Sequence, residues 1–297
     1  MRVGTVVLHY RLWPQVRSTL GCLLSQHRRP DEIIVVDNCS GDGSVGRIRE
    51  AFGGLTVLES GHNGGYAAGM NIGIRRLLHQ GMDAILLLTH DCELRSDAVQ
   101  KLEERLEARP RVAAVGPLLG FSNARERVFS AGGLVDPMTW ETNHISTPGE
   151  IVGWRGKPPH KVEWLDGAAI LLRADAVRQA GPLSTSYFLY FEDSDYILRL
   201  RRLGWEAECV PDAVGWQEPR MKGLPLEYRI RNRLRFLARN APRAVLDREI
   251  YSLILWSIKR TVRRPRKVRQ IWAPRVKGIV DFALARNSPP YRQDGTR

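Results

Sequence analysis

Over residues 3–118, short apolar runs of strand length alternate with segments of helical periodicity. The runs lie at 3–8, 32–36, 55–59, 83–88 and 112–115. Between them, Pro14 suits a first helical turn, and Val16, Leu20, Leu23 and Leu24 follow at helical spacing; 64–78 and 96–108 read the same way. Such alternation predicts an α/β fold, with a mainly parallel central sheet flanked by helices. Ligands of such sheets sit beyond the C-terminal ends of the strands. The residues just after each strand are therefore where chemistry is expected.

From Pro117 to about Glu163 the pattern weakens into loops and β-hairpins laid over the first half. Helical patterns return at 174–179, 193–203, 226–239 and 246–262, and Pro265 and Pro274 divide the tail. Of the 297 residues, 43% are hydrophobic and 26% charged, as in a soluble globular protein. No apolar run approaches the roughly 18–20 residues of a membrane span, and the first residues lack the h-region of a signal peptide. Cys22, Cys39, Cys92 and Cys209 are scattered with no CxxC pair, which argues against a zinc ribbon or a disulfide framework and makes a reducing cytoplasm the default.

The net charge of +13 is unevenly placed. Residues 229–297 carry 19 Lys/Arg against 4 Asp/Glu, whereas the rest of the chain holds 26 against 28. The tail therefore suits an anionic surface, and the body is almost neutral. Leu246, Ile250, Leu253, Ile254, Trp256 and Ile258 lie beside Arg248, Lys259 and Arg260, followed by VRRPRKVR at 262–269. An apolar helix joined to a basic cluster can lie on an anionic bilayer or pack on the body with a solvated basic end. The surplus is confined to the tail and no nucleic-acid reader motif is present, so no nucleic-acid partner is expected.

Three strand ends carry polar clusters. In VVDNCSGDGS (35–44), Asp37 can accept a hydrogen bond from a pyrimidine ring N–H or form an Asx turn capping the next helix. In GHNGGYAAGMNIG (61–73), five glycines and two alanines allow close approach of a ligand or of another element. The segment is neither GxGxxG nor a P-loop. In AILLLTHDCEL (84–94), a buried strand runs into Thr89, His90, Asp91, Cys92 and Glu93, and Asp91 can serve as a Mg²⁺ or Mn²⁺ ligand.

VVDNCSGDGS, NGGYAAGMNIG and LLLTHDCEL, in this order and at these spacings, resemble family 2 glycosyltransferases of the GT-A fold, in particular the bacterial rhamnosyltransferase-like branch. WLDGAAILLR (164–173) resembles that family's acceptor-side segment, YFLYFEDSDYILRLRRLGW (187–205) its catalytic Glu-Asp-x-Asp segment, and YRIRNRLRFLARN (228–240) the Arg-Asn helix that follows. The resemblance covers roughly residues 3–240. It implies a glycosyltransferase domain over 1–240 and a basic helical extension over 241–297.

The resemblance further implies an inverting enzyme that moves a sugar from a UDP- or dTDP-linked donor to an acceptor hydroxyl, the acceptor being lipid-linked or a small molecule. Asp193 matches the catalytic base. His9, Tyr10, Arg11, Asp37, Asn63, Gly64 and Asp91 match the nucleotide side. Trp164, Asp166, Gly167 and Glu192 match the acceptor side. Arg231 and Asn232 are candidates for the diphosphate or the acceptor cleft. Asp91 matches the last aspartate of the DxD-type motif that holds a divalent cation. Two departures weaken the implied need for Mg²⁺ or Mn²⁺. Thr89 stands where the motif has its first acid, and the segment PDAVGWQEP (211–219) has Gln217 but no histidine. Either Asp91, the diphosphate and water hold the ion, or dependence on it is weak.

Three other readings compete. A nucleotidyltransferase would need a Gly-rich loop after the first strand, which LHYRLWP lacks. A degenerate donor-binding protein fits Thr89 and Gln217 but not the retained Asp193. A nucleic-acid-binding protein fits only the tail. The expected location is the cytoplasm, with peripheral contact to the inner face of the plasma membrane.

Overall fold

A computed structural model describes residues 1–145, 149–218 and 225–285. The alternation folds as β1 (Val3–His9), α1 (Trp13–Leu24), β2 (Glu32–Asp37), α2 (Ser44–Ala51), β3 (Thr56–Glu59), α3 (Tyr66–His79), β4 (Ala84–Thr89), β5 (Cys92–Leu94) and α4 (Ala98–Ala108). There follow β6 (Val112–Phe121), β7 (Ala124–Ser130), a separate hairpin of β8 (Gly133–Val135) and β9 (Thr142–His144), then β10 (His160–Lys161) and β11 (Ala169–Arg173). The second half continues with α5 (Ala174–Ala180), α6 (Glu192–Arg202), β12 (Glu206–Gln217), α7 (Leu226–Asn240), α8 (Arg243–Arg263) and α9 (Val268–Ala283).

The main sheet runs β10-β12-β6-β11-β4-β1-β2-β3, with β5 added on β12 and β7 on β6. It is parallel from β4 through β1 and β2 to β3, and again between β6 and β12. β11 lies antiparallel to both of its neighbours. The ends of β1, β2, β3 and β4 thus open on one edge, as α/β topology requires.

Each face of the sheet is sealed by helices. On one, Val6, Leu8, Ile34 and Val36 pack with Ala67, Met70 and Ile74 of α3 and Ile197 and Leu200 of α6. On the other, Val3, Val7, Ile33 and Val35 pack with Val16, Leu20 and Leu23 of α1 and Leu102 and Leu106 of α4. Burial of each large side chain contributes about 1.5–3 kcal/mol. Gly69 and Gly73 set α3 hard against β1, since a Cβ would lie 2.2 Å from Leu8 and 2.4 Å from Val6. These two glycines of the small-residue segment serve helix–strand packing.

The region after Pro117 is more regular than its composition predicts. β6 continues through Pro117, whose missing N–H is tolerated where the register with β12 shifts between Val210 and Val214. α9 likewise runs through Pro274, where the Arg275 guanidinium donates to the Ile271 carbonyl at 2.6 Å. A third apolar cluster, with Tyr187, Leu198, Ile230, Leu234, Phe236, Leu237 and Leu246, joins α6, α7 and α8. Among the described residues, no helix is long and apolar enough to cross a membrane. Residues 286–297 of the expected extension, and Pro219 of the 211–219 segment, lie outside the described residues.

Candidate active site

The loops after β1, β2 and β3 are tied together by side chains. Arg11, in the left-handed conformation (φ 58°), donates its backbone N–H to Ser40 Oγ at 2.7 Å. Ser40 in turn donates its hydroxyl to Asp37 Oδ1 and its N–H to Oδ2 at 3.1 Å. Asp37 therefore makes an Asx-type turn, but it does not cap the next helix as one alternative foresaw, since the N-cap of α2 is Gly43 with no side-chain cap. Asp37 is almost wholly buried at the tip of β2, and a carboxylate retains further acceptor positions beyond these two bonds. Asn38 links the next loop, donating to Asn63 Oδ1 at 2.9 Å and accepting from the Gly64 N–H at 3.2 Å. His9 is buried with Nε2 2.7 Å from Ser44 Oγ. Burial, and then neighbouring His90, depress its pKa to about 4, so it is neutral near pH 7. Tyr10 lies beneath the Arg11 guanidinium, 5.2 Å from ring centre to Cζ.

Beyond β4, the two departures from the acidic motif meet in space. β12 pairs with β5, placing Gln217 opposite Cys92. Gln217 Nε2 lies 3.4 Å from both Thr89 Oγ1 and Asp91 Oδ1. Gln217 presents a donor here, so the oxygens on offer to a hard divalent cation are those of Asp91 and Thr89, which fit one when substrate phosphates and water complete the shell. Among the described residues, no group of three or more His, Cys, Asp or Glu could hold a metal unaided.

Facing these loops is the start of α6, whose first turn holds Glu192, Asp193 and Asp195. The helix macrodipole favours carboxylates there, while burial opposes their charge. Asp193 Oδ2 accepts the Gly167 N–H at 3.0 Å, and Oδ1 accepts the Ser194 N–H at 2.6 Å. Burial raises the Asp193 pKa above the ordinary carboxylate value against these hydrogen bonds. Glu192 is pushed up to about 8, first by burial and then by the Asp193 charge. The Gly167 carbonyl accepts the Tyr66 hydroxyl at 2.7 Å, so α3 braces the same loop from below. Thr89 N–H donates to the Ala168 carbonyl at 3.0 Å, making the loop at 166–168 continuous with the Asp91 cluster. Asp166 accepts the Ser130 hydroxyl, and its pKa is raised to about 7, chiefly by burial.

The profile of Glycosyl transferase family 2 matches residues 5–151, spanning all of these donor-side loops. The chain belongs to this family. A Mycobacterium tuberculosis N-acetylglucosaminyl-diphospho-decaprenol L-rhamnosyltransferase is 27% identical over 227 residues, covering 70% of this chain and 73% of the relative. The Shigella flexneri dTDP-rhamnosyl transferase RfbF is 22% identical, covering 85% of this chain and 86% of that protein. Among solved structures, the Pyrobaculum calidifontis mannosyltransferase PcManGT, in complex with GDP-Man and Mn²⁺, superposes with a TM-score of 0.59 at 17% identity, over 96% of this chain and 88% of that one. S. aureus TarS 1-349 in complex with UDP-GlcNAc superposes with a TM-score of 0.61 at 14% identity, over 96% and 81%. These likenesses establish the GT-A fold.

This family 2 glycosyltransferase gathers most of the sequence-derived residues around the C-terminal ends of β1–β4, but four lie inside the fold: His9, which is 0% exposed with its ring against Ser44 and His90, and Trp164, Arg231 and Asn232. Trp164 is buried, its ring beneath Gly133 and its Nε1 donating to the Leu134 carbonyl at 3.3 Å. Arg231 and Asn232 are enclosed, and both donate to the Tyr187 carbonyl in the turn before Glu192. Sequence reasoning missed His144, whose Nδ1 lies 3.8 Å from Asp166 Oδ2 and whose ring packs between Phe129 and Trp164. It stands on the hairpin of β8 and β9, in a stretch with no periodic pattern to mark it.

Proposed function

We propose that this glycosyltransferase takes a sugar from a dTDP- or UDP-linked donor and transfers it, with inversion, to an acceptor hydroxyl, with Asp193 as general base. The observation that carries this reading is the Asp193 carboxylate. It is held by the Gly167 and Ser194 amides, its pKa is raised, and it sits across the sheet edge from the nucleotide loops.

Asp37 accepts the pyrimidine N–H, which uracil and thymine present alike. Tyr10, Arg11, Asn63 and Gly64 wall the same pocket. The acceptor hydroxyl approaches between Asp166, Gly167 and Glu192 and gives its proton to Asp193 as its oxygen bonds to the anomeric carbon. The bond to the diphosphate breaks on the opposite face, which inverts the configuration. Burial and the Asp193 charge favour the protonated form of Glu192, and a neutral neighbour in turn favours ionisation of Asp193. Asp91, with the diphosphate and water, would hold Mg²⁺ or Mn²⁺, which when bound neutralises charge on the leaving diphosphate.

The acceptor is proposed to be lipid-linked, in line with the decaprenol-linked substrate in the name of the mycobacterial relative. Residues 1–240 form the catalytic domain and 241–297 the extension. α8 turns Tyr251, Ile254, Ile258 and Val262 to solvent along one face, away from buried Leu246 and Ser257. The basic run at 263–269 follows directly. We assign this face to the anionic inner surface of the plasma membrane. The function is tested by assaying release of nucleoside diphosphate from dTDP- and UDP-linked sugars with the wild type and Asp193→Asn. Loss of transfer with retained nucleotide binding supports it; undiminished transfer by the variant refutes it.

A further inference from the structure

The turn that delivers Asp193 is strained. Phe188, Tyr190 and Phe191 are bulky L-residues in the left-handed conformation, with φ of 71°, 71° and 75°. Such backbone persists only where its surroundings dictate it. Two sets of contacts do so here. From the donor side, Gly65 of the small-residue loop (φ 85°) lies so close that a Cβ would sit 2.0 Å from the Phe188 oxygen. The adjacent Tyr66 N–H donates to that oxygen at 2.9 Å.

From the other side comes α7. Asn232 Nδ2 lies 2.9 Å from the Tyr187 carbonyl, 2.7 Å from that of Leu189 and 3.3 Å from that of Tyr190. Arg231 donates to the Tyr187 carbonyl at 2.8 Å and to Asn232 Oδ1 from Nε and Nη2 at 3.0 and 2.9 Å. The guanidinium thereby fixes which end of the Asn232 amide faces the turn. One helical turn on, Arg235 reaches the Ser186 carbonyl, and two turns on, Asn240 holds Asp195 Oδ1 at 2.8 Å. Asn232 is 0% exposed and Arg231 1%.

We infer that Arg231 and Asn232 are positioning residues that pin the Tyr187–Phe191 turn, and through it the first turn of α6, so that Asp193 is aimed at the acceptor. The inference rests on the assignment of Asp193 as the base. It gives the Arg-Asn pair a task away from the diphosphate. The carbonyls of Tyr187, Leu189 and Tyr190 converge on one amide, and that amide is oriented by one guanidinium.

The test compares Asn232→Ala, Asn232→Asp and Arg231→Lys with the wild type. Turnover is followed as nucleoside diphosphate released from dTDP- and UDP-linked sugars, and dTDP and UDP are the binding probes in calorimetry. A slight misplacement of the base costs on the order of tenfold to a hundredfold in kcat. The expected result is that loss for Asn232→Ala and Asn232→Asp alike, because the Asp side chain keeps the shape and the Arg231 contact but donates nothing to the carbonyls. Nucleotide Kd and donor KM should change by less than about threefold, since no ground-state contact to the donor is removed. Arg231→Lys, which keeps the charge but loses the planar fork, should show the same split more mildly; it decides the matter should the Asn232 variants not fold. Parallel loss of nucleotide affinity, or wild-type kcat in folded variants, would overturn the inference. Asp193→Asn run alongside separates the two levels. If it still transfers, the base assignment fails; if it is inactive while the α7 variants turn over normally, only the positioning role fails.

Discussion

The Gly167 amide nitrogen lies 3.0 Å from Asp193 Oδ2, joining a sheet loop to the first turn of α6 across 26 residues of sequence. Gly167 also receives the Tyr66 hydroxyl on its carbonyl. One peptide segment therefore touches Asp193, the floor of α3 and, through Ala168, the strand end that carries Thr89. The carboxylate keeps one geometry because each of its oxygens already has a backbone donor.

Asp193→Asn preserves size, removes the capacity to take a proton, and exchanges one of the two oxygens that accept the Gly167 and Ser194 amides for an NH2 group. Transfer is expected to fall roughly 10²–10⁴-fold, the usual share of a general base. The loss should appear in kcat, with dTDP and UDP affinity nearly unchanged in calorimetry. A parallel loss of nucleotide binding would assign the residue to the framework of the fold.

Glu192→Gln should be milder at neutral pH, because burial and the Asp193 charge favour the protonated form of Glu192. Its pKa rises from 4.5 to about 8 in the folded chain, chiefly through burial. The unfolded chain therefore releases that proton first, and stability falls as pH climbs between those two values. Asp166, raised to about 7, acts in the same direction. Thermal unfolding across this range should slope downward for the wild type and be flatter for Glu192→Gln. An equal slope in both would exclude Glu192 as the source.

Asp37→Ala is expected to weaken dTDP and UDP alike by about 1.5–3 kcal/mol, the cost of losing a hydrogen bond to a charged group. Ser40→Ala serves as the control, since it removes the turn contact but leaves the carboxylate. Calorimetric affinity unaffected by Asp37→Ala would place the base elsewhere.

The neutral pair around Asp91 predicts a modest response to chelation. EDTA should reduce activity less than in enzymes with a complete acidic motif. Thr89→Asp combined with Gln217→His should make Mn²⁺ bind more tightly and activity depend on it more steeply. Total loss with EDTA in the wild type, reversed by Mn²⁺ or Mg²⁺, would mean that Asp91 and the diphosphate suffice.

Replacing Arg263, Arg264, Arg266, Lys267 and Arg269 by glutamine, with α9 kept because it packs on α7, should leave turnover of soluble donors largely intact while reducing flotation with anionic liposomes. The full chain's binding should weaken steeply with salt. Equal flotation by both forms would remove the tail from the membrane.

Most of the parallel half was legible because β1, β2 and β4 are buried on both faces and read as nearly unbroken apolar runs. β11 was not, since Ala169–Arg173 passes directly into a helix and no turn residue marks the change. β12 was hidden by Pro211, Asp212 and Gly215, which dilute its pattern although the strand is almost entirely buried. For the site, single residues at strand ends could be named, but pairings could not. Gln217 meets Asp91 across 126 residues, and Ser40 meets Arg11 through a backbone turn that no periodicity encodes. Arg231 and Asn232 were visible as residues, yet only the left-handed turn beside them reveals what their donors are for.

Asn38 and Asn63 weld two loops that the chain lays down separately. For anyone re-engineering the sugar donor, these loops are consequently one exchangeable part. Grafting 37–44 alone from another enzyme would strand a buried amide against a foreign neighbour, whereas moving 37–44 and 60–66 together carries the joint along with the pocket it shapes.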